Sequence, residues 1–467
     1  WECSNGFMIN EENGFLSIAS YETTTIFILN KLLKFSKISN RGQRESNLRY
    51  LKQCNINFED PLKKVALQKL FVNSQVMLIY GAAGTGKTTL INYISNMMNQ
   101  SKKLFLTKTH TALQNLERRI ENPGLDSDFI SIDSFTKTIT LTDYDIVFVD
   151  ECSTIDNRTM KRLLEKIDES TLLVLAGDIY QIESIDFGNW FYYAKDIIKT
   201  DDVNVELLNT WRTDKKELKG LWDEVRKIQP IITEKLAIDG PFSADIGEEI
   251  FVSQDEDEIV LCLNYDGKFG LNNMNLYFQN ANTKSEVYTW AEWTFKVGDP
   301  VIFLDTKRSP LLYNNLKGRI VDISKRDSAI LFTLDIDTIL TERQCRNESF
   351  EFIDVTDRGT RIRLEVIASD DESAPEEERF KTIIPFQIAY AVSIHKAQGL
   401  EYNSVKIIIP SYNAEKISHS IFYTAITRAK EKLKIFWSAE TMKAIVESFD
   451  KEKIGQRTLE FIEKKLE

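Results

Sequence analysis

VMLIYGAAGTGKTTLINYI, residues 76–94, decides the fold. Val76 to Tyr80 is a short apolar strand, glycines turn the chain, and helical spacing follows from Thr88. Gly81, four residues, then Gly86, Lys87 and Thr88 is the spacing of a phosphate-binding loop. Gly81, Gly84 and Gly86 let backbone N–H groups curl around a β-phosphate, and the helix N-terminus adds a favourable dipole. Lys87 is placed to reach the β and γ oxygens and Thr88 to hold Mg²⁺, with Thr89 beside them in the nucleotide-binding set. The loop alone does not name its output, because kinases, GTPases, transporters and motors share it.

Downstream, short apolar strands alternate with amphipathic helices: "KLFLTK", "TALQNLERRI", "DIVFVDE", "NRTMKRLLEKI" and "TLLVLAGD". That alternation implies a parallel sheet covered by helices, an α/β domain over residues 61–212. A second α/β signal is split between 213–298, with "DEIVLCLN", and 385–445, with "SVKIIIP" and "KLKIFWS". Between them, residues 299–384 carry period-2 strands such as "PVIFLD", "GRIVDI", "AILFTLDI", "FEFIDV" and "RIRLEVIA", which read as a small inserted β-barrel. Residues 1–60, with the helical "TTTIFILNKLLKFSKI", read as an accessory segment and 446–467 as a C-terminal helix. The run "SDDESAPEEER" reads as a solvated acidic loop.

A chain of 467 residues exceeds one hydrophobic core and divides into roughly two to four domains. The net charge of −12 argues against coating nucleic acid with the whole surface, while leaving room for a local basic cleft. Five scattered cysteines, Cys3, Cys54, Cys152, Cys262 and Cys345, include no C-x-x-C pair, so neither a zinc site nor a disulfide framework is expected. A reducing, intracellular setting follows as the expectation, cytoplasmic, nucleoid-associated or nuclear. No apolar run approaches the length of a membrane span. A start at Trp1 rather than Met is what a fragment would show.

Chemistry gathers at the strand ends. "IVFVDECS" places Asp150 for the Mg²⁺ shell and Glu151 to activate the attacking water, the division of labour that phosphoryl transfer to water requires. Cys152 reads as a small buried residue. "LAGDIYQIESIDFG" offers Gln181 as a γ-phosphate sensor. "LNTWRTD" and "FYTAITRAKEKLKIFWS" offer Arg212 and Arg428, whose planar, permanently charged forks suit transition-state charge. In "AYAVSIHKAQGLEYNSVKIIIP", Ser393 and Lys396 suit backbone phosphates of a nucleic acid, and the stretch from Gln398 through Gly399 to Glu401 suits the nucleotide. His395 reads as a structural hydrogen-bonding residue.

The series "GAAGTGKTT", "LTKTHTA", "SIDSF", "VDECS", "GDIYQIESIDFG", "LNTWRT", "AVSIHKAQGLEY" and "YTAITRAK" resembles the ordered motifs of superfamily 1 helicases, over residues 62–440. "IHKAQG", and "GDxxQ" followed by Gly188, resemble the RecD-like branch, which translocates 5′ to 3′ on single-stranded DNA. The resemblance implies two RecA-like domains with ATP in the cleft between them, adenine recognition by Gln68, and an SH3-like identity for the insertion. It implies a strand track from Thr109, His110, Ser131 and Ser134 in the first domain and Asn264, Ser393 and Lys396 in the second. Phe135, Trp190, Tyr192 and Tyr193 read either as base-stacking rings or as core. This chain departs from the family pattern at Lys108 and Thr111 in "LTKTHTA", at Asp133 in "SIDSF", and at Glu183 and Ser184. Those departures fall on the strand-binding side, so ATP hydrolysis follows more directly from the sequence than unwinding does. An RNA-directed motor and a regulatory or scaffold ATPase that gates a partner are the alternatives. No nuclease constellation is visible, so any cleavage would belong to a protein partner or a further portion of chain.

Overall fold

The computed structural model describes residues 9–12, 15–40, 42–53, 60–124, 126–137, 143–184, 186–200, 202–238, 240–283, 285–304, 308–326, 328–357, 359–368, 382–449 and 454–466. Cys3, Cys54 and the acidic run 369–379 lie outside them. The chain divides into two compact units. One comprises residues 1–229, 418–427 and 447–467; the other comprises 230–417 and 428–446.

In the first unit six parallel strands form one sheet in the order Ser127–Ser131, Lys103–Thr107, Ile146–Val149, Leu172–Gly177, Val76–Gly81, Asn204–Leu207. Strand parity sorts its core. Val76, Leu78 and Tyr80 share one apolar cluster with Leu104, Val147 and Leu175, whereas Met77 and Ile79 join Phe105, Phe148 and Val174 in the other. The second cluster is closed by Leu90, Ile91 and Ile94 of helix Lys87–Met97 and by Ala66 and Leu67 of helix Pro61–Lys69. The first is closed in part by the expected accessory segment: Ile28, Leu29, Leu32 and Phe35 of helix Ala19–Phe35 are fully or nearly fully buried there. Asn157 Nδ2 donates to Thr25 Oγ1 at 2.6 Å, tying that helix to Asn157–Lys166.

The rings offered for base stacking are core instead. Trp190 is 0% and Phe135 3% exposed in the first cluster, Tyr193 is buried with them and Tyr192 packs against them. Each ring is apolar enough to be drawn beneath the helices, and the one polar atom of Trp190 is satisfied because Nε1 donates to Ile155 O at 2.8 Å. Trp190→Ala is expected to cost about 3–5 kcal/mol of stability, read by urea unfolding. A loss below about 1 kcal/mol would show that neighbouring side chains collapse into the cavity.

The second unit carries a five-stranded parallel sheet in the order Ala391–Ser393, Glu258–Cys262, Tyr402–Ile408, Ala429–Phe436, Ser243–Ala244. A separate six-stranded antiparallel sheet runs Glu351–Thr356, Gly359–Ile367, Ala329–Ile336, Lys317–Arg326, Pro300–Phe303, Phe386–Ile388. Its core includes Val301, Ile320, Phe332, Leu334, Ile362 and Phe386. The expected parallel α/β core is therefore present, and the expected β-rich insertion forms an antiparallel sheet whose last strand lies just past residue 384. Cys152, Cys262 and Cys345 are free and buried. Among the described residues no helix is long and apolar enough to cross a membrane.

Candidate functional site

Strand Val76–Gly81 ends between two parallel neighbours, and its carboxyl end opens into the glycine turn. Gly84 and Gly86 have φ of +77° and +85°, left-handed values that favour glycine. Gly86 is the N-cap of helix Lys87–Met97 and contributes no side-chain cap, which leaves the first helical N–H groups for an anion. Lys87 Nζ folds back over the loop, donating to Gly81 O at 2.8 Å and Ala82 O at 3.0 Å. Burial lowers its pKa; Asp178 and Asp150 oppose that shift, and the Arg212 charge adds to it.

The acids arrive from neighbouring strands. Asp150, 8% exposed, follows strand Ile146–Val149 and accepts from Thr88 Oγ1 at 3.3 Å. A hydroxyl and a carboxylate facing each other are the all-oxygen donors that Mg²⁺ prefers alongside phosphate and water. Glu151 takes left-handed φ and ψ of 57° and 40°, and its N–H donates to Asp150 Oδ1 at 2.9 Å. Asp178 ends strand Leu172–Gly177 and accepts from Gln181 Nε2 at 3.2 Å and Tyr180 N at 3.1 Å. Asp178 escaped the sequence reading even though the "GD" ahead of Gln181 was its signal. Cys152 is the small buried residue expected: it donates to Val149 O, and burial pushes its thiol pKa well up.

The "LNTWRT" segment straps onto the loop. Thr210 Oγ1 donates to Ala83 O at 3.0 Å, Trp211 N donates to Gly84 O at 2.7 Å, and a Cβ at Gly84 would collide with Arg212 Cβ. Arg212 Nη1 donates to Thr427 O at 2.6 Å. Trp211 is 50% exposed beside the loop, an apolar face of the kind on which a base can stack, and the sequence reading did not single it out. Lys63 was missed as well. A Cβ built on Gly86 would lie 2.5 Å from Lys63 Nζ, so this 6%-exposed lysine brings its ammonium to the loop. Gln68, five residues on in the same helix, sits about 140° round the axis from Lys63.

The second-unit residues lie in loops that lead into their own sheet, Gly399 and Glu401 ahead of strand Tyr402–Ile408 and Arg428 ahead of Ala429–Phe436. Gly399 has φ of +74°, Glu401 pairs with Lys430 at 3.3 Å, and buried Arg428 donates from Nη1 to Leu400 O at 3.2 Å. The expected track residues are largely engaged in local structure. Thr109 Oγ1 caps helix His110–Arg119 through Ala112 N, and Ser131 Oγ donates to Ser134 Oγ at 2.8 Å. Asn264 Nδ2 donates to Asn413 Oδ1, Ser393 Oγ accepts from Lys396 N, and Lys396 Nζ donates to Gln387 Oε1. Burial lowers the Lys396 pKa. Thr109 and His110 are exposed.

The AAA domain family matches residues 63–238, and the UvrD-like helicase C-terminal domain family matches residues 388–435. The chain is 23% identical over 453 residues to the RecBCD enzyme subunit RecD of Buchnera aphidicola subsp. Acyrthosiphon pisum, covering 82% of this chain and 74% of that protein. The same subunit from Buchnera aphidicola subsp. Schizaphis graminum is 21% identical, with 81% and 73% covered. A crystal structure of Bacteroides Pif1 bound to ssDNA is 15% identical, covers 83% of this chain and 94% of that one, and has a TM-score of 0.49. A glycine loop leading into a helix, two strand-end acids and a nearby glutamine on a parallel sheet, taken with these matches, mark an ATP-hydrolysing enzyme of the helicase class. These matches make the chain similar to the superfamily 1 helicases of the RecD-like branch.

Proposed function

We propose that this chain is a DNA helicase or translocase that moves 5′ to 3′ on single-stranded DNA as it hydrolyses ATP. The observation that carries the reading is the convergence of Lys87, Thr88, Asp150, Glu151 and the Asp178–Gln181 pair at the carboxyl edge of one sheet. Thr88 and Asp150 would hold Mg²⁺, which supplies charge for the phosphate oxygens. Lys87 binds the β and γ oxygens, Glu151 takes the proton of the attacking water, and Gln181 orients that water. Arg212 and Arg428 stabilise the charge that builds on the γ-phosphate, and Gly399 and Glu401 contact the nucleotide. Gln68 is kept for the adenine, and the exposed Trp211 ring and the Lys63 ammonium beside Gly86 are added as candidates for the base and a phosphate. The antiparallel insertion fits an SH3-like subdomain. The RecD relatives are by name subunits of a larger enzyme, which supports a protein partner for this chain.

The test is ATP turnover with and without single-stranded DNA at low salt, with RNA of equal length as the comparison, followed by unwinding of duplexes with 5′ or 3′ tails. Stimulation by DNA and a requirement for a 5′ tail are expected. Stimulation by RNA alone would transfer the reading to an RNA-directed motor. A second reading, a regulatory ATPase that gates a partner, is favoured by the hydrogen bonds that occupy most expected track residues. A turnover rate indifferent to every single strand would establish it over the motor. Arg428→Ala is expected to lower turnover roughly 10³-fold, on the scale of a lost transition-state arginine. Turnover within tenfold of the parent would remove Arg428 from the reaction.

A further inference from the structure

Two departures from the family pattern, Lys108 and Asp133, meet in space. Lys108 directly follows strand Lys103–Thr107, and Asp133 lies in the first turn of helix Ile132–Lys137, directly after strand Ser127–Ser131. These strands are parallel neighbours with Thr107 in register with Ser131, so both side chains emerge at the same carboxyl edge of the sheet. Lys108 Nζ lies 2.9 Å from Asp133 Oδ1 and 3.3 Å from Asp156 Oδ2. Asp156 is itself fixed as the N-cap of helix Asn157–Lys166, accepting from Thr159 N at 2.8 Å and Thr159 Oγ1 at 2.7 Å. The cation is therefore held between two carboxylates, one of them rigid, and the cluster carries a net charge of about −1 at neutral pH.

The position matters because Thr109, His110, Ser131 and Ser134 lie immediately alongside in the chain. They are the first-unit residues assigned to the strand track, and this inference rests on that assignment. A phosphate approaching there meets a lysine already engaged and a half-exposed acid, with side-chain exposures of 27% for Lys108 and 42% for Asp133. Partial burial pulls the Lys108 pKa down, but the contacts with Asp133 and then Asp156 outweigh it and leave it raised, so the ammonium stays charged. The lysine therefore carries its charge while paired with Asp133.

We infer that Asp133 is an electrostatic brake on strand binding: it holds Lys108 away from the phosphate backbone and presents a negative charge in its stead. The chain would thereby grip its track loosely in the first unit.

Asp133→Asn tests this, because it keeps the size of the exposed side chain and leaves the Asp156 cap in place. Binding of oligo(dT) is measured by fluorescence anisotropy over a range of salt. The variant should bind roughly three- to tenfold more tightly at low salt, and its log–log salt dependence should steepen by roughly 0.7, one further phosphate contact on a single strand. Lys108→Ala should change little in the parent chain but should reverse the gain in the Asp133→Asn background, a coupling that a merely structural pair would not give. If the parent turnover is stimulated by oligo(dT) yet Asp133→Asn binds equally or more weakly, the brake is overturned while the motor reading stands. If the parent neither binds nor responds to oligo(dT), the motor reading fails and the brake with it.

Discussion

Replacing Lys87 with alanine is expected to lower ATP turnover roughly a thousandfold, the scale of removing a preorganised charge from a phosphoryl-transfer site. In the present geometry its ammonium is held by two loop carbonyls, Gly81 O and Ala82 O, a perch from which it can turn to β and γ oxygens. The same residue should not support the fold when nucleotide is absent. Burial lowers its pKa, so the unfolded chain binds that proton more tightly. The resulting penalty is fully present below the folded pKa and fades as pH rises toward the unfolded value. Lys87→Ala should therefore melt at the parent temperature or slightly above it in the absence of nucleotide. ATP should raise the melting temperature of the parent and much less that of the variant. A variant that keeps a tenth of the parent turnover would show that Lys87 is a loop-stiffening residue and not a phosphate ligand.

Glu151→Gln should separate binding from chemistry. Asp150 and Glu151 are consecutive, yet Asp150 accepts from Thr88 Oγ1 while Glu151 sits in a left-handed turn of the backbone. That conformation costs a non-glycine residue about 1 kcal/mol, and it is secured by Thr154, whose N–H and hydroxyl both donate to Glu151 O. Glutamine keeps the backbone and the shape but cannot accept a proton from water. Turnover is expected to fall roughly 10²- to 10⁴-fold, with ATP affinity retained within a few-fold. Single-turnover hydrolysis beside equilibrium binding of labelled ATP makes the comparison. Parallel loss of binding and hydrolysis would assign Glu151 to the metal shell, and unimpaired hydrolysis would leave the base to another group.

The central strands were legible because they are buried on both faces, which writes them as continuous apolar runs. Val76–Gly81, Ile146–Val149 and Leu172–Gly177 are of this kind. Ser127–Ser131 and Asn204–Leu207 were not read as strands, because each is an edge of the sheet, partly exposed, with "SDFIS" and "NVEL" as its sequence. Within the site, the loop was legible from its own spacing and the acids from their place at the end of another apolar strand, and the structure adds how Thr88 and Asp150 face one another. Lys63 could not be found in advance, since nothing in "PLKKVALQKL" says which face of the helix meets Gly86. The track residues were harder still. Serine, threonine and asparagine serve helix caps and phosphates with the same oxygens and N–H groups, and only coordinates reveal that Thr109, Ser131 and Ser393 have local partners.

Helix His419–Ile426 belongs to the first unit although it lies far along the chain. It supplies Thr424 Oγ1 to the N–H of Ile182, next to Gln181, and Ile426 O to the indole of Trp222. On a ribosome the phosphate loop emerges early, and its sheet can collapse around it, but these two buried donors must wait until residues 418–427 have been made. Closing so long a span is also slow relative to local helix and loop formation. The loop carrying Gln181 thus reaches its final setting late in synthesis, and a chain cut short within the second unit would carry the glycine loop without the helix that steadies the residue after Gln181.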